Sequence, residues 1–389
     1  MTGILTKLIA LVTTVTMLAG PQAEIAEKQL GLTKQPDTSV SGEVTDSDEL
    51  TAPVDAVQLC KEITIGWNLG NTLDATGYGM NSETSWGNPK ATKELILAVK
   101  DAGFDAVRIP TTWYNHLDDD FNIDEAWLDR VQEVVDYAYD EGMYVILNAH
   151  HENWNDPYQD TLRDVKTKIK KLWSQIAQRF ESYGRRLIFE GMNEPRWKNT
   201  NFEWNGGNSE GRSVVNEYNK CFVQTVRATG GNNSYRALMI PTYAASASGL
   251  DGFTVPDDKS LIVSIHAYSP YNFAMNENGT TSFDSSDSNS TRELEWLSDT
   301  LYDRFISKGV GAIIGECGTV NKNNLADRLN WAKYFPKVFG DNGIPVFLWD
   351  NNAYGYGNEV FGMIHRDTLK WEYPSYIKAL VDAAKQTKN

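Results

Sequence analysis

The chain is poor in cysteine, in basic charge and in long apolar runs, and each shortage excludes a class of protein. Its three cysteines in 389 residues (Cys60, Cys221, Cys317) are odd in number and far apart, so neither a disulfide framework nor a Cys-x-x-Cys zinc knuckle holds the fold together. Lys and Arg number 36 against 52 Asp and Glu, a formal charge of −16. A surface this acidic repels phosphate backbones and anionic head groups, which excludes nucleic acid as a partner. The apolar run from Leu8 to Ala19 is about 12 residues long where a bilayer core needs roughly 20, too short for a membrane span. What the chain does have is a hydrophobic fraction of 41% and a wealth of rings, 12 Trp and 18 Tyr. That supports a large core, and flat amphipathic rings suit flat, hydroxyl-studded ligands such as sugars.

Lys7, the apolar run, Gly20, Pro21 and the small Ala23 read as an export signal over residues 1–23, so the mature protein is expected to be secreted or extracytoplasmic and free of the membrane. Residues 24–52 are polar without helical or strand period and read as a linker. One domain, 53–389, follows, with nothing in it that demands more than a monomer. Within it short apolar, β-branched runs alternate with amphipathic segments. The strand-like runs are Ile63 to Trp67, Ala106 to Ile109, Tyr144 to Leu147, Leu187 to Phe189, Ala237 to Ile240, Leu261 to Ile265, Ala312 to Ile314 and Val346 to Trp349. Helical period appears in Lys93 to Ala102, Asp124 to Glu141, Leu162 to Tyr183, Ser213 to Ala228, Glu293 to Lys308, Ala326 to Asn342 and Tyr373 to Lys385. The segment after the fifth run, SASGLDGFTVPDDKS, is too short and too rich in Gly and Pro for a helix. Eight continuously apolar strands joined by long crossovers predict a (β/α)8 TIM barrel. The alternative, a doubly wound open sheet, should carry a G-x-G-x-x-G turn after its first strand, and GWNLGN lacks that spacing.

In a parallel barrel, reactive groups collect at the carboxyl ends of the strands. Those ends carry Arg108 in VRIP, Asn148, His150 and His151 after the third run, Glu190, Asn193 and Glu194 in FEGMNEP, His266 and Tyr268 in SIHAY, Glu316 in IIGE, and Trp349 in FLWD. Burying such groups in apolar surroundings is unfavourable unless they have partners or a task. Carboxylates on strands four and seven face each other across a barrel mouth, the arrangement in which one protonates a glycosidic oxygen and the other attacks the anomeric carbon. An ion network with Arg108 would account for either carboxylate singly; it accounts poorly for both together with flanking Asn, His and Tyr. Asp350 and Glu190 read as structural. Adjacent His150 and His151 should point to opposite faces of a strand and so should not share an ion, and there is no H-E-x-x-H or H-x-H. No metal and no cofactor are expected. Cys317, beside Glu316, should face the core.

These motifs resemble glycoside hydrolase family 5, the cellulase family of clan A, whose members are retaining (β/α)8 barrels. GWNLGNTLDA with SWGNP is most similar to its endo-β-1,4-glucanase branch, and the resemblance spans Ile63 to about Tyr373. It implies that Glu194 in NEP is the general acid/base and Glu316 the nucleophile. It further implies that Arg108, His150, His151, Asn193, His266, Tyr268 and Trp349 bind substrate or orient the carboxylates, with Trp86, Trp154 and Trp204 as further cleft candidates on loops. By the same resemblance, approach of the second carboxylate should push the pKa of Glu194 up. The implied activity is retaining hydrolysis of internal β-1,4 bonds in cellulose and related β-glucans. The rival readings are the same chemistry on xyloglucan, mannan or mixed-linkage glucan, and a barrel that binds carbohydrate without cutting it.

Overall fold

The computed structural model describes residues 49–388. The expected signal segment and nearly all of the expected linker lie outside the described residues. Eight parallel strands close into a barrel in sequence order, β1 (Gly66–Leu69) pairing with β2 (Ala106–Ile109) on one side and β8 (Val346–Asp350) on the other. Between them run β3 (Tyr144–Asn148), β4 (Leu187–Glu190), β5 (Leu238–Pro241), β6 (Leu261–His266) and β7 (Gly311–Cys317). This is the (β/α)8 barrel that the alternating pattern predicts.

Side chains alternate across a strand, so every second residue points into the barrel. The inward positions are apolar at the amino ends of the strands, where Ala106, Ile146, Ile188, Met239, Ile262, Ile313 and Phe347 form one buried cluster. Two residues further along they turn polar: Asn68, Arg108, Asn148, Glu190 and Ser264 are all fully buried. One end of the interior is therefore an apolar plug and the other a buried polar layer beneath the mouth. Gly66 belongs to this packing, because a Cβ there would lie 2.0 Å from the ring of Phe347.

A short helix absent from the sequence reading, α1 (Ala56–Glu62), closes the apolar end. Asp55 caps it by accepting from Gln58 N, and Ala56, Leu59 and Cys60 are buried against the plug. The first strand begins at Gly66 rather than Ile63 because Ile63 to Ile65 are spent on leaving this helix. Leu50 is already docked here, its backbone N–H donating to Asn232 Oδ1 at 2.8 Å.

The outer ring follows helical period. It comprises α2 (Lys93–Asp101), α3 (Glu125–Tyr139), α4 (Leu162–Arg179) and α5 (Ser209–Ala228), and, after the brief α6 (Tyr271–Ala274), α7 (Ser288–Arg304), α8 (Leu325–Gly340) and α9 (Pro374–Gln386). In α4 the buried stripe is Val165, Ile169, Leu172, Trp173 and Ile176, the spacing that puts one face on the sheet. After β5 there are only two 3-10 turns, Tyr243–Ala245 and Ala247–Leu250, in place of a helix, as the short Gly- and Pro-rich segment predicts. The Ser/Asn/Asp-rich segment after β6 is anchored by Phe283, which is buried against Phe273 and Tyr334. No helix among the described residues is long and apolar enough to cross a membrane.

Candidate active site

Arg108 organises the mouth. Pointing inward from β2 and wholly buried, it donates from Nε to Glu190 Oε2 at 2.7 Å, from Nη1 to Asn68 Oδ1 at 3.0 Å and Glu316 Oε1 at 2.8 Å, and from Nη2 to Asn193 Oδ1 at 2.7 Å. Burial opposes its charge, but Glu190 and Glu316 outweigh burial and hold the guanidinium above its ordinary value. Glu190 is in turn bonded by Asn148 Nδ2 at 3.0 Å and Ser264 Oγ at 2.7 Å. It is a fully buried brace behind the arginine, as its sequence context suggests.

Glu316 reaches this layer through a bulge. Ile313 faces the interior, so strict alternation would put Glu316 outside, but the pairing of β7 with β6 and with β8 shifts register next to it, bringing Glu316 opposite His266. An extra residue in one strand re-aims the side chains beyond it. The displaced Gly315 carbonyl accepts from Asn68 Nδ2 at 3.0 Å, so no buried acceptor is orphaned there. The second oxygen of Glu316 accepts from Tyr268 Oη at 2.9 Å. Burial, then the charge of Glu316, drives the Tyr268 phenol well above its usual pKa, which keeps it a donor.

Glu194 lies in the loop after β4, with Oε1 2.7 Å from His266 Nδ1 and Oε2 3.4 Å from Arg196 Nη1. His266 Nδ1 is also 3.6 Å from Glu316 Oε2, so this imidazole stands between the two carboxylates. One oxygen of each carboxylate lies within 4.8 Å of the other. The His266 Nε2 atom is buried without a hydrogen-bond partner among the described residues, so the ring meets the carboxylates through Nδ1. Burial raises the pKa of Glu194, but the His266 hydrogen bond and charge, then Arg196 and His151, outweigh it and leave Glu194 below its ordinary value. For His266, burial is outweighed by Glu316 and Glu194, and the imidazole is raised. The expectation that a second carboxylate pushes Glu194 up is thus corrected. A cationic partner stands between the two acids, and sequence spacing could not reveal it.

His150 and His151 do not behave as strand neighbours. β3 ends at Asn148, and in the loop beyond it both imidazoles turn to one side, ring centroids 4.5 Å apart. Together with Asp74 they bring one ligand atom each to within 4.8 Å of one another, contrary to the opposite-face argument. Burial holds both imidazoles neutral, His150 well below 6.5 and His151 at about 4. Asp74 spends its oxygens on the backbone N–H groups of Asn71 and Thr72. In the Glu194, His266 and Glu316 group, Arg108 already supplies the positive charge. The ring of Trp349 lies parallel to His150 at 5.9 Å, in space that exists because residue 70 is glycine: a Cβ there would stand 2.7 Å from the indole. All nine residues singled out by the sequence meet at this mouth.

A family model described as Cellulase (glycosyl hydrolase family 5) matches residues 73–355. The chain belongs to glycosyl hydrolase family 5. It is 47% identical to Endoglucanase B of Neocallimastix patriciarum over 84% of this chain and 72% of that protein. It is 46% identical to Endoglucanase A of Ruminococcus albus, over 90% of this chain and 96% of that one. A solved GH5-4 broad specificity endoglucanase from Ruminococcus champanellensis, with bound cellotriose, superposes with a TM-score of 0.81 at 48% identity, covering 84% of this chain and 98% of that one.

Around this family 5 site stand residues to which the resemblance assigned no role. Asn68 and Asn148 complete the layer under the carboxylates, and Arg196, directly after the NEP motif, touches Glu194. Their signal was present as polar residues at strand ends, but nothing in spacing says which neighbour each will meet. Glu152, fully buried, accepts from Trp113 N at 2.7 Å and Trp154 Nε1 at 2.7 Å. Burial lifts its pKa to about 7. Of the loop tryptophans, Trp154 is thereby pinned, whereas Trp86, 5.5 Å from His151, and Trp204 are exposed. Asp350 ties down the loop after β8 through the N–H groups of Asn352, Met363 and Ile364. Cys317 is buried in the core with its thiol pKa pushed up by burial, and is no nucleophile.

Proposed function

We propose that Glu316 is the nucleophile and Glu194 the acid/base of a retaining double displacement by which this endo-β-1,4-glucanase opens internal bonds of cellulose and related β-glucans. The observation that carries the reading is the separation of the two carboxylates, with oxygens within 4.8 Å. Retaining glycosidases keep their carboxyl groups about 5 to 5.5 Å apart, whereas inverting enzymes need roughly 6.5 to 9.5 Å to admit a water. The partners differ as the roles require. Glu316 faces Arg108 and the Tyr268 hydroxyl, which hold one oxygen each and fix the orientation of the carboxylate that is to attack the anomeric carbon.

Glu194 shares a short bond with His266 Nδ1, so the proton of the acid step resides on that pair in the free enzyme. A sugar filling the space above Glu316 strips water from Glu194, and desolvation favours the neutral carboxyl, drawing the proton from Nδ1 to Oε1. Glu194 then protonates the leaving oxygen as Glu316 attacks, and the glycosyl-enzyme forms. In the second half Glu194 takes a proton from water, which attacks the same carbon and frees Glu316. Asn193, held by Arg108, and His150 are placed to bond hydroxyls of the reacting sugar, with His151 beside them and the Trp349 indole as its floor.

Export under residues 1–23 and action as a monomer complete the proposal, since a polymer too large to enter a cell must be met outside it. The test is reducing-sugar release from carboxymethyl-cellulose, xyloglucan, mixed-linkage glucan and glucomannan by wild type and Glu316→Gln, with a chelator control and NMR of the first anomer formed. Cleavage of β-glucans with retained configuration, unaffected by chelator and lost in Glu316→Gln, supports the reading. Inverted product or an active Glu316→Gln refutes it.

A further inference from the structure

Asn148, the last residue of β3, is fully buried and its amide bonds in three directions. Oδ1 accepts from Thr111 N at 3.1 Å, while Nδ2 lies 3.0 Å from Glu190 Oε2 and 3.1 Å from His150 Nδ1. The orientation of this amide is forced. A backbone N–H can only donate, and the Glu190 carboxylate, paired with Arg108 at 2.7 Å, can only accept. Turning the amide over would set its NH2 against the Thr111 N–H and its oxygen against the carboxylate, leaving buried groups unpaired.

The two hydrogens of Nδ2 therefore go to Glu190 and to His150, whose Nδ1 must receive with a lone pair. Burial, then the charges of His151 and Arg108, holds the His150 ring neutral. A neutral imidazole carries one proton, and with Nδ1 occupied as an acceptor that proton sits on Nε2. His150 Nε2 has no hydrogen-bond partner among the described residues and, unlike His266 Nε2, is not a buried orphan. It opens on the mouth, beside the rings of His151 and Trp349.

We propose that Asn148 is a positioning residue that fixes the tautomer of His150, so that this imidazole meets the substrate as a hydrogen-bond donor and not as an acceptor. The role in the reaction rests on the glucanase reading; the tautomer does not. With five histidines in the chain, the test is NMR of the imidazole nitrogens in histidine-labelled protein at about pH 7, the His150 signals being those lost in His150→Gln. Wild type should show Nδ1 unprotonated and Nε2 protonated. Asn148→Asp puts an oxygen where Nδ2 stood, and any proton on that oxygen is drawn to Glu190, so the His150 proton should pass to Nδ1. In that variant kcat/KM on cellohexaose should fall about tenfold, the worth of one hydrogen bond. Asn148→Ala, which only removes the donor, should move the Nδ1 signal. Ser264→Ala, which takes a different donor from Glu190, should leave the His150 ring as it is in wild type. A proton on Nδ1 in wild type, a tautomer unmoved by Asn148→Asp, or one moved equally by Ser264→Ala overturns the proposal. So does a reversed tautomer with kcat/KM within about twofold of wild type. Wild type that shows the expected tautomer and cleaves no β-glucan overturns the glucanase reading, and the role in the reaction falls with it.

Discussion

Replacing Arg108 by lysine keeps the positive charge and removes the fork, so it asks whether charge or geometry holds the mouth together. The guanidinium serves four acceptors, two of them the buried carboxylates of Glu190 and Glu316, at distances of 2.7 to 3.0 Å. An ammonium is a single point with three donors and cannot bridge carboxylates set at opposite edges of a planar group. One carboxylate is left buried without its cation, and breaking such a pair costs about 3 to 5 kcal/mol. For a domain of about 340 residues the unfolding entropy is about 0.7 kcal/mol/K, so Tm should fall by about 4 to 7 °C. Loss of one charge-assisted hydrogen bond to Glu316, about 1.5 to 3 kcal/mol, should lower kcat/KM by about 10- to 150-fold. Scanning calorimetry and initial rates on carboxymethyl-cellulose measure the two effects. Arg108→Lys with Tm within about 1 °C and kcat/KM within about threefold of wild type would refute the argument that the fork, not the charge, is what the site requires.

Tyr268→Phe removes the other donor to Glu316 and should lower kcat by about 10- to 100-fold with little change in KM, read from saturation curves. Gly70→Ala places a Cβ 2.7 Å from the Trp349 indole and 2.9 Å from the Asp350 carbonyl. Binding assays should show weaker cello-oligosaccharide affinity, and melting curves a loss of about 1 to 3 kcal/mol. For pH, Glu194 sits below its ordinary 4.5 and His266 above its ordinary 6.5. The contribution of Glu194 is present above about pH 4.5 and lost as pH falls through its lowered value, and that of His266 is present below about pH 6.5 and lost as pH rises through its raised value. The difference in Tm between wild type and Glu194→Gln should therefore be largest between about pH 4.5 and 6.5 and shrink toward pH 3 and pH 9; a difference that is flat with pH would contradict the ion pair.

What could be read in advance follows from which forces act locally. A strand buried on both faces must be apolar along its length, so the runs ending at Ile109, Leu147 and Phe189 declared themselves within a residue. A helix of about two turns with no long period, Ala56–Glu62, did not, because its stability comes from the barrel end it fills. Reactive residues stood out because polar groups are rare at the ends of apolar runs. Their partners stayed hidden because Arg108 and Glu316 are 208 residues apart.

By itself the sequence determined the barrel, its polar rim, and through its motifs the family and the pair Glu194 and Glu316. Those are consequences of periodicity and residue type, which a linear chain displays. Only the tertiary structure decided that a bulge in β7 turns Glu316 inward, that His150 and His151 turn to the same side, and that His266 stands between two acids and lowers the pKa of Glu194 instead of letting it rise. Each depends on distances between strands far apart in the chain. Electrostatic energies vary with such distances and with burial, neither of which is written in residue order.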